Sequence, residues 1–363
     1  MKILLVEFDI TIIGGVNRVI ANLANALFEK SFHVDILSIY KENTQIPFCI
    51  NENIGLKFFY DNGVKKIKTK NIFKNLYKKS IEKRIRDYRI KKIANDYDIV
   101  IFNNYFLYNS FFKNKKTKYI KILHGQFENY TDRDLNRNKF FDIIVLLSSK
   151  QLNEFQKYFK NIKIIPNFVN MPLKVADCNQ KIVLSIGRLS EEKGFLRLVD
   201  IWEIAQKKMN DKDWKLYIVG EGDLKKELEA KIKDKNLENS IKILPFTQNI
   251  NKYYLNASIY TMCSYSEGFG MTLAESASFG LPGIAFDVKV GPSDIIENNK
   301  SGFLVKDGDL YEFADKLVFL MENDNARKEI GKYARVLIDK KFSKEVVINK
   351  WLKFVINNIF QVK

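Results

Sequence analysis

The chain has 363 residues, 46% of them hydrophobic, and a formal net charge of +17. That length exceeds one ordinary domain and points to two, with apolar residues enough for sizeable cores. Three cysteines without motif spacing, Cys49, Cys178 and Cys263, exclude a disulfide framework and suggest a reducing compartment, and no run of about 20 apolar residues is present to span a membrane as a helix.

Strand-like and helix-like segments alternate along the chain. Lys2–Val6 reads as a buried strand, because Glu7 and Asp9 interrupt it too early for a signal peptide. Val16–Phe28 reads as a helix with Val16, Val19, Ile20, Leu23 and Leu27 on one face. His33–Tyr40, Asp98–Phe102, Tyr119–Leu123 and Asp142–Leu147 read as strands. Ser148 is placed to cap a helix running to about Phe159, and Ile162–Ile165 is a short strand stopped by Pro166. A second series begins with the strand Ile182–Ile186, the helix Phe195–Met209 and the strand Trp214–Val219. A helix to about Lys235 follows, then strands at Ile241–Leu244 and Ile259–Met262. The helix Met271–Phe279, the strands Gly283–Phe286 and Phe303–Val305 and closing helices complete it. Such alternation predicts parallel sheets with helices on both faces, and two series predict two doubly wound domains. Ligands then belong at the carboxyl ends of the strands and in the cleft between the sheets.

Much of the charge lies between Lys65 and Lys92, where thirteen Lys and Arg face only Glu82 and Asp87. Ile72, Phe73, Leu76, Tyr77, Ile81, Ile85 and Tyr88 recur there at roughly helical spacing. The pattern predicts a basic amphipathic helix that either lies on an anionic membrane surface or packs its apolar face on its own domain.

Five segments carry candidate chemistry. In Ser266–Ser276, Glu267 and Glu275 are separated by seven residues, with Gly268 and Gly270 before a helix start. Free N–H groups at Met271, Thr272 and Leu273 would bind a phosphate, Glu275 would accept ribose hydroxyls, and Glu267 would lie nearer a sugar. A capped surface helix is the plainer alternative. In Ser185–Gly194, Arg188 and Lys193 stand on a loop after a buried strand. There they would stabilise a departing pyrophosphate without a metal. Gly14 and Gly15 lie between the first strand and first helix, where backbone amides would bind the donor, or face the acceptor, unless they only form a tight turn. His124 ends a strand and is one of two histidines; it would hydrogen-bond sugar hydroxyls or a phosphate, while His33 reads as structural. Gly220-Glu221-Gly222-Asp223 either positions base and ribose, with Gly222 at the donor, or caps a helix through Asp223. No G-x-G-x-x-G opens either domain, which argues against NAD. Asp132-Arg133-Asp134 and Asp211-Lys212-Asp213 have an Asp-x-Asp form but read as polar loops, and no residue cluster suggests a metal.

With these residues assembled, the chain resembles the GT-B retaining glycosyltransferases of family 4, the glycosyl transferases group 1, most specifically between Ile182 and Val305. The family's Glu-x7-Glu element falls on Glu267 and Glu275, its phosphate-binding pair on Arg188 and Lys193, and its N-domain histidine on His124. The resemblance implies two facing Rossmann-like domains. Residues 1–172 would bind the acceptor and residues 173–343 the nucleotide sugar, and the last helix, 344–363, would cross back to the first domain. It also implies metal-free, retaining transfer of a hexose or N-acetylhexosamine from a nucleotide diphosphate sugar. Asp287–Ile296, with Gly291-Pro292-Ser293-Asp294, resembles a branch using UDP-sugars, although Val288-Lys289-Val290 departs from it. A glycan or lipid-linked acceptor in surface polysaccharide or lipopolysaccharide synthesis is expected, with the enzyme cytoplasmic and peripheral on the inner membrane face. The competing readings are a nucleotide-sugar epimerase of the same fold, an inactive transferase, and a nucleic-acid-binding protein suggested by charge alone; nucleic acid is not expected as a partner because no binding module accompanies that charge.

Overall fold

The computed structural model describes residues 1–60, 84–104 and 113–360. The chain divides into two compact units, Met1–Ile165 and Pro166–Lys363. Each is built on one parallel sheet with the strand order of a doubly wound fold. The expected pair of Rossmann-like domains is therefore present.

In the first unit the sheet order is β3-β2-β1-β4-β5-β6-β7. These strands are β1 (Lys2–Glu7), β2 (His33–Ser38), β3 (Gly55–Phe58), β4 (Ile99–Phe102), β5 (Lys118–Leu123), β6 (Ile143–Leu146) and β7 (Ile162–Ile164). The central strands form because their residues are apolar almost without interruption, as burial on both faces requires. Ile3, Leu4, Leu5 and Val6 are fully buried, and β4 is buried at every position. Helix α1 (Gly15–Glu29) packs Val19, Ile20, Leu23 and Leu27 inward. Helix α2 spans 84–94, so most of the basic Lys65–Lys92 stretch, up to residue 83, lies outside the described residues. Helices α3 (Asp132–Asn138) and α4 (Leu152–Gln156) complete the unit.

The second sheet runs β10-β9-β8-β11-β12-β13. Its strands are β8 (Ile182–Ile186), β9 (Lys215–Val219), β10 (Ile241–Leu244), β11 (Ile259–Met262), β12 (Gly283–Phe286) and β13 (Gly302–Val305). Helices α5 (Phe195–Lys208), α6 (Lys225–Asp234), α7 (Asn251–Leu255), α8 (Met271–Ser278), α9 (Pro292–Ile295), α10 (Leu310–Glu322), α11 (Asp324–Phe342) and α12 (Lys344–Phe360) follow in chain order. Trp202, Leu198, Leu216, Ile218, Ile284, Phe313 and Leu317 belong to one buried cluster that joins α5 and α10 to the sheet.

Two local expectations are corrected. Asp132-Arg133-Asp134 is not a loop but the first turn of α3: Thr131 accepts from the Asp134 amide and Asp134 accepts in return from the Thr131 amide, closing a capping box. Asp223 does not cap α6, whose cap position is Leu224 with no side-chain bond. Ser148 does cap, accepting from the Lys150 amide at 3.1 Å, but what it caps is the 3-10 turn Ser149–Gln151 that leads into α4, which ends at Gln156 rather than near Phe159. Among the described residues no helix is long and apolar enough to cross a membrane.

Candidate active site

In each sheet the chain order reverses between two neighbouring strands, at β1–β4 in the first and β8–β11 in the second. Loops leaving such a pair diverge, and the crevice at their carboxyl ends is where open α/β sheets bind ligands. In the second unit β8 delivers Arg188 and Lys193 to that crevice, and β11 delivers Glu267.

The two loops are bound to each other. Lys193 Nζ donates to Glu267 Oε1 at 2.7 Å, and Ser264 Oγ donates to the same oxygen at 2.6 Å. The Tyr265 amide donates to the Glu192 carbonyl at 2.8 Å. Gly194 lies so close that a Cβ there would stand 1.9 Å from the Cys263 carbonyl oxygen, at a φ of 65° that also favours glycine. Glu267 is only 8% exposed, so its charge depends on that ammonium and that hydroxyl. Its second oxygen, Oε2, has no hydrogen bond among the described residues. Arg188 is exposed and pairs with Glu192 at 2.6 Å.

After Glu267 the chain turns into α8 through Gly270, whose φ of 89° is left-handed. No side chain caps α8 and no acidic residue occupies its first turn. The Leu273 amide turns back onto the Gly270 carbonyl at 3.1 Å. The donors left facing outward are therefore those of Met271 and Thr272, two rather than the three expected. One turn on, buried Glu275 accepts from the Tyr254 hydroxyl at 2.9 Å. Gly222 is explained by packing: a Cβ there would stand 2.3 Å from the Leu189 carbonyl oxygen, and the Leu189 amide donates to Glu221 at 2.8 Å. The structure thus brings Arg188, Lys193, Gly222, Glu267 and Gly270 onto adjoining loops, and Met271, Thr272, Leu273 and Glu275 onto the first turns of α8, at the carboxyl ends of one sheet.

The remaining expected residues lie at the carboxyl edge of the first sheet. Gly14 and Gly15 start α1, which has no side-chain cap, and a Cβ on either would meet no atom within 4 Å. Packing does not dictate glycine there. Asp9 pins the preceding loop, accepting from the Thr11 and Glu42 amides at 2.9 and 2.8 Å. His124, past the end of β5, shares a 2.9 Å hydrogen bond with Asn103 Oδ1. Beneath it Lys121 is 1% exposed and donates to the Asn103 carbonyl. Glu7 is 2% exposed and accepts from the Asn104 amide and side chain, each at 3.1 Å. Burial pushes the Lys121 ammonium down to about 7 and raises the Glu7 carboxyl. Burial, with Lys121 nearby, lowers the His124 imidazole to about 3. Glu7, Asn103 and Lys121 were not expected as site residues, nor were Ser264 and Tyr254. The visible signal was a charge breaking apolar strands: Lys121 within Tyr-Ile-Lys-Ile-Leu, and Glu7 closing Ile-Leu-Leu-Val. Among the described residues no group of three or more His, Cys, Asp or Glu could hold a metal ion.

Comparison with known proteins agrees with this geometry. The family model "Glycosyl transferases group 1" matches residues 173–337. A Haemophilus influenzae protein described as an uncharacterized glycosyltransferase is 30% identical over 350 residues, covering 93% of this chain and 95% of that one. The Staphylococcus aureus poly(ribitol-phosphate) alpha-N-acetylglucosaminyltransferase is 35% identical over 221 residues, 60% of this chain and 44% of that protein. Among solved structures, a variant of S. aureus TarM in complex with Fondaparinux, alpha-GlcNAc-glycerol and UDP superposes with a TM-score of 0.78 at 19% identity, covering 97% of this chain and 99% of that one. The chain belongs to the glycosyl transferases group 1 family and is a glycosyltransferase of GT-B fold.

His124 stays neutral in the folded protein, whereas in the unfolded chain it charges below its ordinary value of 6.5. The unfolded chain then binds the extra proton, so this contribution to stability falls as pH drops from 6.5 towards about 3. His124→Asn is expected to lose less melting temperature than the unaltered protein between about pH 7 and about pH 5. Glu7 and Lys121 are present in both proteins, so their own titrations cancel in the difference. Equal losses in the two proteins would show that His124 is not held neutral.

Proposed function

We propose that the protein is a retaining, metal-independent transferase moving a hexose or N-acetylhexosamine from a UDP-sugar to a glycan or lipid-linked acceptor. The observation that carries this reading is the placement of Lys193, Ser264 and Glu267 beside the uncapped start of α8. A sugar nucleotide is a chain of ribose, two phosphates and sugar, and the site offers groups in that order. Glu275 takes the ribose hydroxyls. The Met271 and Thr272 amides and the helix dipole take the pyrophosphate. Glu267 Oε2 takes a hydroxyl of the sugar.

Bond breaking at the anomeric carbon leaves negative charge on the departing phosphate. Lys193 and Arg188 are fixed cations for that charge, the role a divalent metal fills elsewhere. The buried Glu267 carboxylate stabilises positive charge growing on the sugar. The departing phosphate accepts the proton of the acceptor hydroxyl as it attacks from the same face, which retains the configuration. In this reading residues 173–343 hold the donor, and residues 1–172 with the last helix take the acceptor, with Gly14, Gly15 and His124 at the carboxyl edge. The relative named a poly(ribitol-phosphate) alpha-N-acetylglucosaminyltransferase supports an N-acetylhexosamine donor and a polymer acceptor.

The same reading places the enzyme in the cytoplasm, against the anionic inner face of the membrane. Its support is the charge of Lys65–Lys92 and the outer face of α2, where Ile85 and Tyr88 are 48% and 56% exposed beside exposed Arg84, Arg89 and Lys92.

Calorimetry with UDP and a panel of UDP-sugars tests the donor site. We expect UDP to bind, and Glu275→Gln to weaken it roughly 10-fold or more, as loss of charge-assisted hydrogen bonds implies. Absence of UDP binding, or equal binding by the variant, contradicts the assignment. For the membrane, sedimentation with phosphatidylglycerol vesicles at low salt is expected to carry the protein down, and Arg84→Glu with Arg89→Glu to reduce it. A protein that stays in the supernatant contradicts that placement.

A further inference from the structure

Arg197 projects from the first turn of α5 and makes no part of the donor site described above. Its side chain is 7% exposed. Nε donates to the Cys263 carbonyl at 2.6 Å, and one terminal nitrogen donates to the Ser264 carbonyl at 2.7 Å. The other terminal nitrogen pairs with Asp307 at 2.7 Å, on the loop after β13. The guanidinium plane is enclosed between two rings, 3.8 Å from the centre of Tyr265 and 4.0 Å from that of Phe286. One side chain thus grips three consecutive residues, 263 to 265, by two carbonyls and a ring.

Those residues are the stem of Glu267. Ser264, whose carbonyl Arg197 holds, is also the residue whose hydroxyl holds Glu267 Oε1. The direction of Oε2 follows from where Oε1 is pinned. We propose that Arg197 is the positioning residue that aims Glu267, acting through Ser264. This rests on the reading that Glu267 touches the donor sugar. Only a planar fork with donors on three sides reaches two carbonyls and a carboxylate while stacked between rings; a lysine supplies one point charge and no plane. Gly194 gives the clamp its reach, because it lets the start of α5 come within contact of the Cys263 carbonyl. Asp307 and Tyr265 are 47% and 51% exposed. They can be altered without emptying the core, while Arg197 itself cannot.

The test is the rate of UDP release from UDP-N-acetylglucosamine or UDP-galactose, whichever the enzyme turns over, read beside UDP affinity and melting temperature. A displacement of about 1 Å at a reacting group costs on the order of 100-fold in rate. Arg197→Lys is expected to lose about that much in kcat, and Asp307→Asn and Tyr265→Leu roughly 10-fold each. UDP affinity is expected to stay within about twofold, because the α8 amides and Glu275 are untouched. The decisive protein combines Arg197→Lys with Glu267→Gln. If Arg197 acts through Glu267, the double variant is no slower than Glu267→Gln alone. Multiplying losses overturn the inference, as does a lowered melting temperature with kcat unchanged. If Glu267→Gln alone keeps full activity, the reading of Glu267 fails instead.

Discussion

The candidate site of the second unit depends on one ion pair. Lys193 and Glu267 meet at 2.7 Å between loops that leave adjacent strands at the reversal point of the second sheet. A carboxylate that is 8% exposed is tolerated only when paired, and removing one partner of a buried pair costs about 3–5 kcal/mol. Ser264 shares the same oxygen, the Tyr265 amide reaches Glu192, and Gly194 admits the contact. The pair therefore ties the two loops together and leaves the second carboxylate oxygen without a hydrogen bond among the described residues.

The first unit shows the same economy in a different form. Its sheet ends in Glu7, Lys121 and His124, all near Asn103 and Asn104. Buried ionisable groups oppose folding, and here burial holds the lysine at about 7 and the histidine at about 3. Glu7 and His124 stand at the carboxyl ends of β1 and β5, and behind Glu7 the interior of β1, Ile3 to Val6, is apolar. The uncapped start of α1 lies at that same edge, as the uncapped start of α8 does in the second unit.

Much of this was legible in the residue order. Strands buried on both faces write themselves as apolar runs, so β1, β8, β11 and β12 were readable, and alternation with helices gave the fold class. Glycines between two spaced glutamates marked the α8 turn. What escaped was set by contacts distant in sequence. Strand β3 is four residues with a lysine in it and gains its identity only from pairing with β2. The aspartates of α3 looked like loop residues, although Thr131 and Asp134 stand at capping-box spacing. Asp223 looked like a cap, but the chain turns one residue later. Arg197 sits inside an ordinary amphipathic helix, and only folding brings it to Cys263 and Ser264. Gly222 was read as lying at the donor, and what approaches it in the fold is the Leu189 backbone.

The most direct measurement is a crystal structure of the protein with UDP bound. The account predicts the terminal phosphate against the Met271 and Thr272 amides, the ribose on Glu275, and Glu267 Oε1 still held by Lys193 and Ser264. UDP bound elsewhere, or a Glu267 carboxylate swung away from Lys193, would contradict it.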